Sequence, residues 1–290
     1  MQLGLIGLGR MGGNMRERLR AAGHEVVGFD HKPEISDAKT LAELAAKLQA
    51  PRAVWVMVPA EVTEATIDDL ATHLSPGDLI IDGGNSRFSS DAPRAERLDA
   101  QGIGYVDVGV SGGIWGQELG YALMAGGADD HIARLMPIFE ALKPAGEFGF
   151  VHAGPVGAGH YAKMVHNGIE YGLMHAYAEG YELLGASELV TNVPGVIKSW
   201  REGTVIKSWL LDLLDRAIEE DPGLDAIKGY ADDTGEGRWT VEEAIRLAVP
   251  MHVIAASLFA RFESREDDSP AMKAVAALRN QFGGHPVHKS

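Results

Sequence analysis

The 290-residue sequence has no cysteine. That excludes disulfides, a thiol nucleophile and any cysteine-based metal site. It fits a reducing cytoplasm, the expected location. Positive charge is also scarce. Lys and Arg number 26 against 41 Asp and Glu, a formal net charge of −15. This argues against nucleic acid and anionic membrane surfaces as partners. It leaves room for an anionic small-molecule substrate, because a few clustered cations decide that locally. No apolar run reaches the ~18 residues of a membrane span. The first residues, MQLGLIGLGRMGG, meet Arg10, Arg16 and Arg18 too soon for a signal-peptide layout. There is no low-complexity segment and no short-period repeat. What is present is 46% hydrophobic residues, enough for a sizeable core in one large or two ordinary domains.

Gln2–Ile6 reads as a buried strand and runs straight into Gly7-Leu8-Gly9-Arg10-Met11-Gly12, with a helix predicted over 14–22. A G-x-G-x-x-G turn between strand and helix is the dinucleotide-binding context. The first glycine makes the turn, the second admits a pyrophosphate, and the third packs helix on strand. The next strand, Glu25–Phe29, ends in Asp30, where a carboxylate takes the adenosine ribose hydroxyls; His31 and Lys32 follow. Alternation continues with strands predicted at 53–58, 79–82, 105–108, 121–125 and 148–151, and helices at 40–48, 62–74, 93–101 and 129–142. Ligand-type loops follow several strands: Val58 and Pro59, then Gly83-Gly84-Asn85-Ser86, then Gly109-Val110-Ser111-Gly112-Gly113. The pattern predicts an α/β fold with a Rossmann-type doubly wound sheet. After about Gly157 no strand signal returns. Helices are expected over 157–184, 193–200, 209–218, 240–263 and 270–280, with a non-helical tail from Phe282 to Ser290. The expected domains are residues 1–156, binding dinucleotide, and 157–290, all-helical.

Within the second part, Lys163, His166, Asn167, Glu170 and Tyr171 fall on one arc of a helix, while Val165 and Ile169 fall on the other side, where they can pack. An amine, an imidazole, an amide, a carboxylate and a phenol on one face are costly to bury without a ligand. No cluster with metal-ligand spacing argues for a metal.

These residues carry a resemblance. Gly7–Gly12 followed by Asn14, Ile81-Asp-Gly-Gly-Asn-Ser86, Gly109-Val-Ser-Gly-Gly113 and Gly157 through Gly172 resemble the 6-phosphogluconate dehydrogenase family in its shorter bacterial form. So do Gly237-Arg-Trp-Thr240, Phe259-Ala-Arg261, and Arg279 six residues before His285. The glycine motif and the Lys163/Asn167 pair are shared with the wider β-hydroxyacid dehydrogenase group; His166-Asn-Gly-Ile-Glu-Tyr-Gly172 is more specific. The resemblance implies oxidative decarboxylation of 6-phosphogluconate to ribulose 5-phosphate and CO₂. Lys163 would be base and then polarising acid, and Glu170 would deliver a proton to C1. The first role needs a neutral Lys163, so burial is expected to depress its pKa. Asn85, Ser111, Gly112, Gly113, His166 and Asn167 resemble carboxylate and hydroxyl contacts. Tyr171, Arg261 and Arg279 resemble phosphate contacts, with His285 nearby. The cofactor set is the Gly7–Gly12 turn, Asp30, His31, Lys32, Val58 and Asn85. Asp30 favours NAD, with NADP as the alternative. The long form has a lysine and a threonine at phosphate where this chain has Thr234 and Glu236. Glu236 there would be repulsive unless Arg238 or Arg261 compensates. A homodimer or dimer of dimers is expected, each tail completing the neighbour's substrate site. Competing expectations are an enzyme for a non-phosphorylated hydroxy acid and a non-catalytic dinucleotide sensor.

Overall fold

A computed structural model describes residues 1–288; Lys289 and Ser290, the end of the expected tail, lie outside the described residues. The strands are β1 (Gln2–Ile6), β2 (Glu25–Phe29), β3 (Ala53–Val56), β4 (Leu79–Asp82), β5 (Gly104–Ser111), β6 (Ala122–Gly126) and β7 (Phe150–Gly154). They form one sheet in the order β2-β1-β3-β4-β5-β6-β7. Helices α1 (Arg10–Ala21), α2 (Leu41–Lys47), α3 (Ala60–Ala71), α4 (Asp91–Asp99), α5 (Gly116–Leu119) and α6 (Asp129–Leu142) lie between the strands. Alternate strand residues serve opposite faces. Leu3, Leu5, Trp55, Ile81 and Val106 pack with Met15 and Leu19 of α1 and Phe139 of α6. Val54, Val56 and Ile80 pack with Leu44 of α2, Ile67 of α3 and Leu98 of α4. Each such side chain, fully buried, contributes ~1.5–3 kcal/mol. The doubly wound α/β expectation is met.

One pairing departs from a wholly parallel sheet. β6 runs antiparallel to β5, with Asp107 opposite Gly126 and Ser111 opposite Ala122. The residues between them form only a 3-10 turn (Gly113–Trp115) and the short α5, and a parallel crossover needs a dozen or more residues, so the chain turns back instead.

The remaining helices are α7 (Ala158–Ala186), α8 (Val193–Trp200), α9 (Trp209–Glu220), α10 (Glu236–Arg246), α11 (His252–Glu263) and α12 (Pro270–Gly283). The single helix expected over 240–263 is two. Pro250 has no N–H to donate and restricts Val249. Ala248 takes a left-handed φ of 55°, and Val249 N–H closes on the Ala244 carbonyl at 2.8 Å, ending α10. The last helix also runs past the expected end, to Gly283. Packing divides the chain into residues 1–166 and the residues from Asn167 onward. In the second unit Ile197, Leu211 and Ile218 form a small core with Tyr177, Tyr181 and Leu184 of α7 around them. Among the described residues, no helix is long and apolar enough to cross a membrane.

Candidate active site

In the first unit the glycine turn is built as its sequence implies. Gly7 has φ +89°, and a Cβ there would meet the Met57 carbonyl oxygen at 2.3 Å; a Cβ on Gly12 would meet the Gly7 oxygen at 1.9 Å. Gly9 differs, since a Cβ there would meet nothing within 4 Å. The turn is therefore solid on the protein side and open at Gly9. No side chain caps α1 at Gly9, so its first N–H groups face that opening with the positive end of the helix dipole. These features fit the pyrophosphate of a dinucleotide. Asp30 accepts Leu8 N–H at 2.8 Å through one oxygen and Lys32 N–H at 3.1 Å through the other. Both bonds hold the carboxylate at the end of β2, beside the turn, and spare lone pairs remain for hydroxyls. His31 and Lys32 are exposed.

The neighbouring loops converge on the turn. Val58 lies against Gly7, and a Cβ on Gly84 would meet the Val58 oxygen at 3.0 Å, so the loop bearing exposed Asn85 adjoins the turn. Asn14 of α1 donates to the Ile114 carbonyl at 3.1 Å and ties down the loop after Ser111-Gly112-Gly113.

The start of α7 runs along one face of β5. Asp107, Gly109 and Ser111 share that face by the two-residue strand period. Asp107 accepts Gly157 N–H at 2.6 Å and His160 N–H at 2.9 Å. A Cβ on Gly109 would fall 2.4 Å from Lys163 Cβ and 2.8 Å from the Gly159 oxygen, so only glycine admits the helix there. Ser111 Oγ stands 3.3 Å from His166 Nε2. Lys163 is buried, 8% exposed.

Beneath this face lies a charge network that sequence reasoning missed. His160 Nδ1 bonds Asp91 at 2.8 Å. Tyr105 hydroxyl donates to Asp91 at 2.9 Å, Arg94 donates to Asp82 at 2.9 Å, and Ser86 donates to Asp82 at 2.7 Å. Burial alone would push the His160 imidazole down. Its bond to Asp91 and the charges of Asp91, Asp82 and Asp107 outweigh that, and its pKa rises to about 9. Burial pushes the Asp107 carboxyl up to about 6, against the pull of His160. Among the described residues Asp82, Asp91 and His160 are close enough to share a metal ion. The Arg94 guanidinium already lies on both carboxylates, at 2.9 and 3.4 Å, which makes the cluster an ion network carrying its own cation. The aspartates and the histidine are scattered over 79 positions, from Asp82 to His160, so no local spacing could have disclosed them.

In the second unit, Asn167, Glu170 and Tyr171 continue along α7. Ile169, expected to pack, is 51% exposed, whereas Tyr171 is 6% exposed. The burial is reversed because α10 and α11 cover the tyrosine. Gly237 lies on its ring, and the Arg261 guanidinium stacks over it at 3.5 Å while donating to the Asp232 carbonyl at 2.8 Å. Glu236 is buried and accepts the Thr234 hydroxyl at 2.6 Å. Arg238 does not compensate Glu236 in this structure. It pairs with Asp233, as Arg265 does at 3.0 Å, and bonding to these two arginines holds the Asp233 carboxyl below its ordinary range. Tyr171 Oη and Glu236 Oε1 are buried with no hydrogen-bond partner among the described residues. Arg279 and His285 are exposed on α12 and just beyond it.

Comparison with known proteins agrees with this geometry. The model of the NAD-binding domain of 6-phosphogluconate dehydrogenase matches residues 2–149, and that of the C-terminal domain of 6-phosphogluconate dehydrogenase matches residues 159–287. The NAD(+)-dependent, decarboxylating 6-phosphogluconate dehydrogenase of Haloferax volcanii is 43% identical, over 99% of this chain and 98% of its own. The decarboxylating 6-phosphogluconate dehydrogenase of Bacillus licheniformis is 35% identical over 95% of this chain, which spans 64% of that longer protein. Among solved structures, 6-phosphogluconate dehydrogenase of Plasmodium falciparum, studied with NADP+ and with 6-phosphogluconate, superposes with a TM-score of 0.83 at 27% identity. It covers 100% of this chain, and 66% of its own length is matched.

Proposed function

Because the chain belongs to the 6-phosphogluconate dehydrogenase family of oxidoreductases, we propose that it oxidatively decarboxylates 6-phosphogluconate to ribulose 5-phosphate and CO₂. The observation that carries the reading is α7. One continuous helix holds Lys163, His166, Asn167, Glu170 and Tyr171, and its first turns lie against the strand that ends in Ser111.

Lys163, entering neutral, takes the C3 hydroxyl proton. A dinucleotide bound at the glycine turn would supply the acceptor for the hydride that leaves C3. Protonated Lys163 then polarises the new C3 carbonyl oxygen, so that the bond to the carboxylate breaks and CO₂ leaves. Glu170 gives a proton to C1 of the enediol. Asn85, Ser111, Gly112, Gly113, His166 and Asn167 hold the carboxylate and hydroxyls. Tyr171, Arg261, Arg279 and His285 serve the phosphate. The Gly7–Gly12 turn, with Val58 and Asn85 beside it, would hold the dinucleotide, and Asp30 would hold its adenosine ribose. A carboxylate there accepts from a free 2′-hydroxyl and repels a 2′-phosphate, so we read the cofactor as NAD. We read residues 1–156 as the dinucleotide domain and 157–290 as the substrate and dimerisation domain, in a homodimer or dimer of dimers with exchanged tails. Exposed Ile169, Leu173, Val253, Phe259, Met272 and Leu278 support an assembly that covers them.

Glu236 favours a second reading, a hydroxy acid without phosphate, because this buried carboxylate stands where the long form resembled here has a phosphate-contacting threonine, and Thr234 stands where it has the lysine. Turnover assays decide between them. With NAD, the enzyme is expected to reduce cofactor and release CO₂ on 6-phosphogluconate, with gluconate and 3-hydroxyisobutyrate far behind. Faster turnover of either unphosphorylated acid would overturn the assignment.

A further inference from the structure

We propose that Asp107, together with His160 and Asp91, is a positioning group for Lys163, fixing where the lysine-bearing helix stands on β5. The proposal rests on the reading of Lys163 as the base.

The first N–H groups of a helix have no partner within it. A side chain at the N-cap can accept from them, as Thr40, Asn192 and Ser208 do for α2, α8 and α9. The N-cap of α7 is Gly157, which has no side chain to offer. The acceptor comes instead from another element. Asp107 of β5 takes Gly157 N–H with one oxygen and His160 N–H with the other, at 2.6 and 2.9 Å. A two-oxygen grip on two N–H groups of one turn fixes both the height of the helix and its rotation. An acceptor within the helix itself could not do that relative to the sheet.

His160 adds a second anchor. Its backbone N–H is held by Asp107 and its Nδ1 by Asp91, the first residue of α4, at 2.8 Å. Asp91 is itself held by the Tyr105 hydroxyl of β5 at 2.9 Å. The first turn of α7 is thus clamped to β5 directly and to α4 through His160. All three side chains are buried, so these bonds are not exchanged with water.

Lys163 lies one turn beyond His160. At that level the helix touches β5 without intervening side chain, since a Cβ on Gly109 would meet Lys163 Cβ at 2.4 Å. Contact this close transmits any shift of the first turn to the lysine. The next turn brings His166 within 3.3 Å of Ser111 Oγ. Asp107, Gly109 and Ser111 therefore meet three successive turns of α7, and Asp107 is the charged member of the three. A displacement of about 1 Å at a reacting group costs on the order of 10²-fold in rate.

The test uses the full chain as wild type, Asp107→Asn, His160→Gln, and Ile138→Val as a control for simple loss of stability. Ile138 is wholly buried in the sheet core, away from this clamp. Asp107→Asn keeps the shape but turns an NH₂ toward one of the two N–H groups. His160→Gln removes the imidazole from Asp91 and carries the same test if Asp107→Asn does not fold. Turnover of 6-phosphogluconate with NAD is measured per folded molecule, with the primary deuterium isotope effect for substrate deuterated at C3. Amide exchange is followed across residues 157–166.

For both clamp variants kcat is expected to fall on the order of 10²-fold while NAD affinity stays within about twofold. The isotope effect should rise toward its intrinsic value, and the first turns of α7 should exchange faster. Ile138→Val should lower Tm and leave kcat and the isotope effect unchanged. Activity lost only in proportion to the unfolded fraction, with wild-type isotope effect and exchange, would overturn the proposal. Failure of the wild type to turn over 6-phosphogluconate would sink the functional reading instead. The clamp is then decided by the rate at which pyridoxal 5′-phosphate and borohydride label Lys163. A changed rate in the clamp variants but not in Ile138→Val supports it, and equal rates overturn it.

Discussion

Raising the pH from 6.5 to above 9 should weaken the first unit through one residue, His160. Its pKa rises to about 9 because Asp91, Asp82 and Asp107 outweigh the cost of burial, whereas an exposed imidazole titrates near 6.5. A group whose folded pKa is raised stabilises fully below its unfolded value and loses that contribution as pH climbs through the folded value. The window is therefore from about 6.5 to about 9. At about 1.36 kcal/mol for each pKa unit the loss comes to ~3 kcal/mol. Asp107, raised to about 6, changes charge below this window and does not enter it. Urea denaturation of wild type and His160→Gln at intervals across the window reads the effect of His160 together with the carboxylates coupled to it, Asp91 and Asp107, while groups remote from this network cancel in the difference. Histidine ¹³Cε1 NMR gives the midpoint directly, with His160→Gln identifying the resonance. A midpoint at or below 6.5, or a difference curve that is flat or rises with pH, would refute the reasoning.

Lys163→Met should leave NAD affinity intact and lower kcat by about 10²–10⁴-fold, and near-normal turnover would remove Lys163 from the mechanism. Glu170→Gln should slow proton delivery to C1 more than hydride transfer, read as slower solvent-deuterium incorporation into product. Asp30 predicts a kcat/KM preference for NAD, and a preference of about tenfold or more for NADP would contradict it. Truncation after Asn280 should raise KM for the substrate and spare NAD affinity. Mixing Lys163→Met with Arg279→Ala subunits should restore activity if tails are exchanged, and no recovery would show that each chain builds its own site.

The fold was readable because its signals are local. Buried strands such as Ala53–Val56 are short apolar runs closed by Pro, Gly or Asp, and the glycine turn sits between a strand and a helix. The break between α10 and α11 is also written locally, in Pro250, although apolar residues recur at helical spacing on both sides of it. The antiparallel β6 depends on connection length rather than on the residues of the strand. Legibility of the site follows the same line. The face of α7 is contiguous in sequence and could be seen as a unit. Asp107, Asp91 and His160 could not, because each is unremarkable in its own segment and acquires meaning only when the sheet stacks the segments. Ile169 and Tyr171 exchanged their expected burial for a related reason, since helical period fixes which residues share a face but not which face is covered.

The two-residue rhythm of β5 also limits how this lineage can change. Asp107, Gly109 and Ser111 face α7 together because they are two apart, with Val108 and Val110 buried in the core behind them. Deleting or inserting one residue between positions 107 and 111 would turn part of that set to the opposite face. Helix anchor, lysine seat and Ser111 would then lose their common alignment in a single event. A two-residue change would keep the face but carry Ser111 about 6–7 Å along the strand from the turn of α7 that it meets, whereas replacing side chains in place leaves the alignment intact.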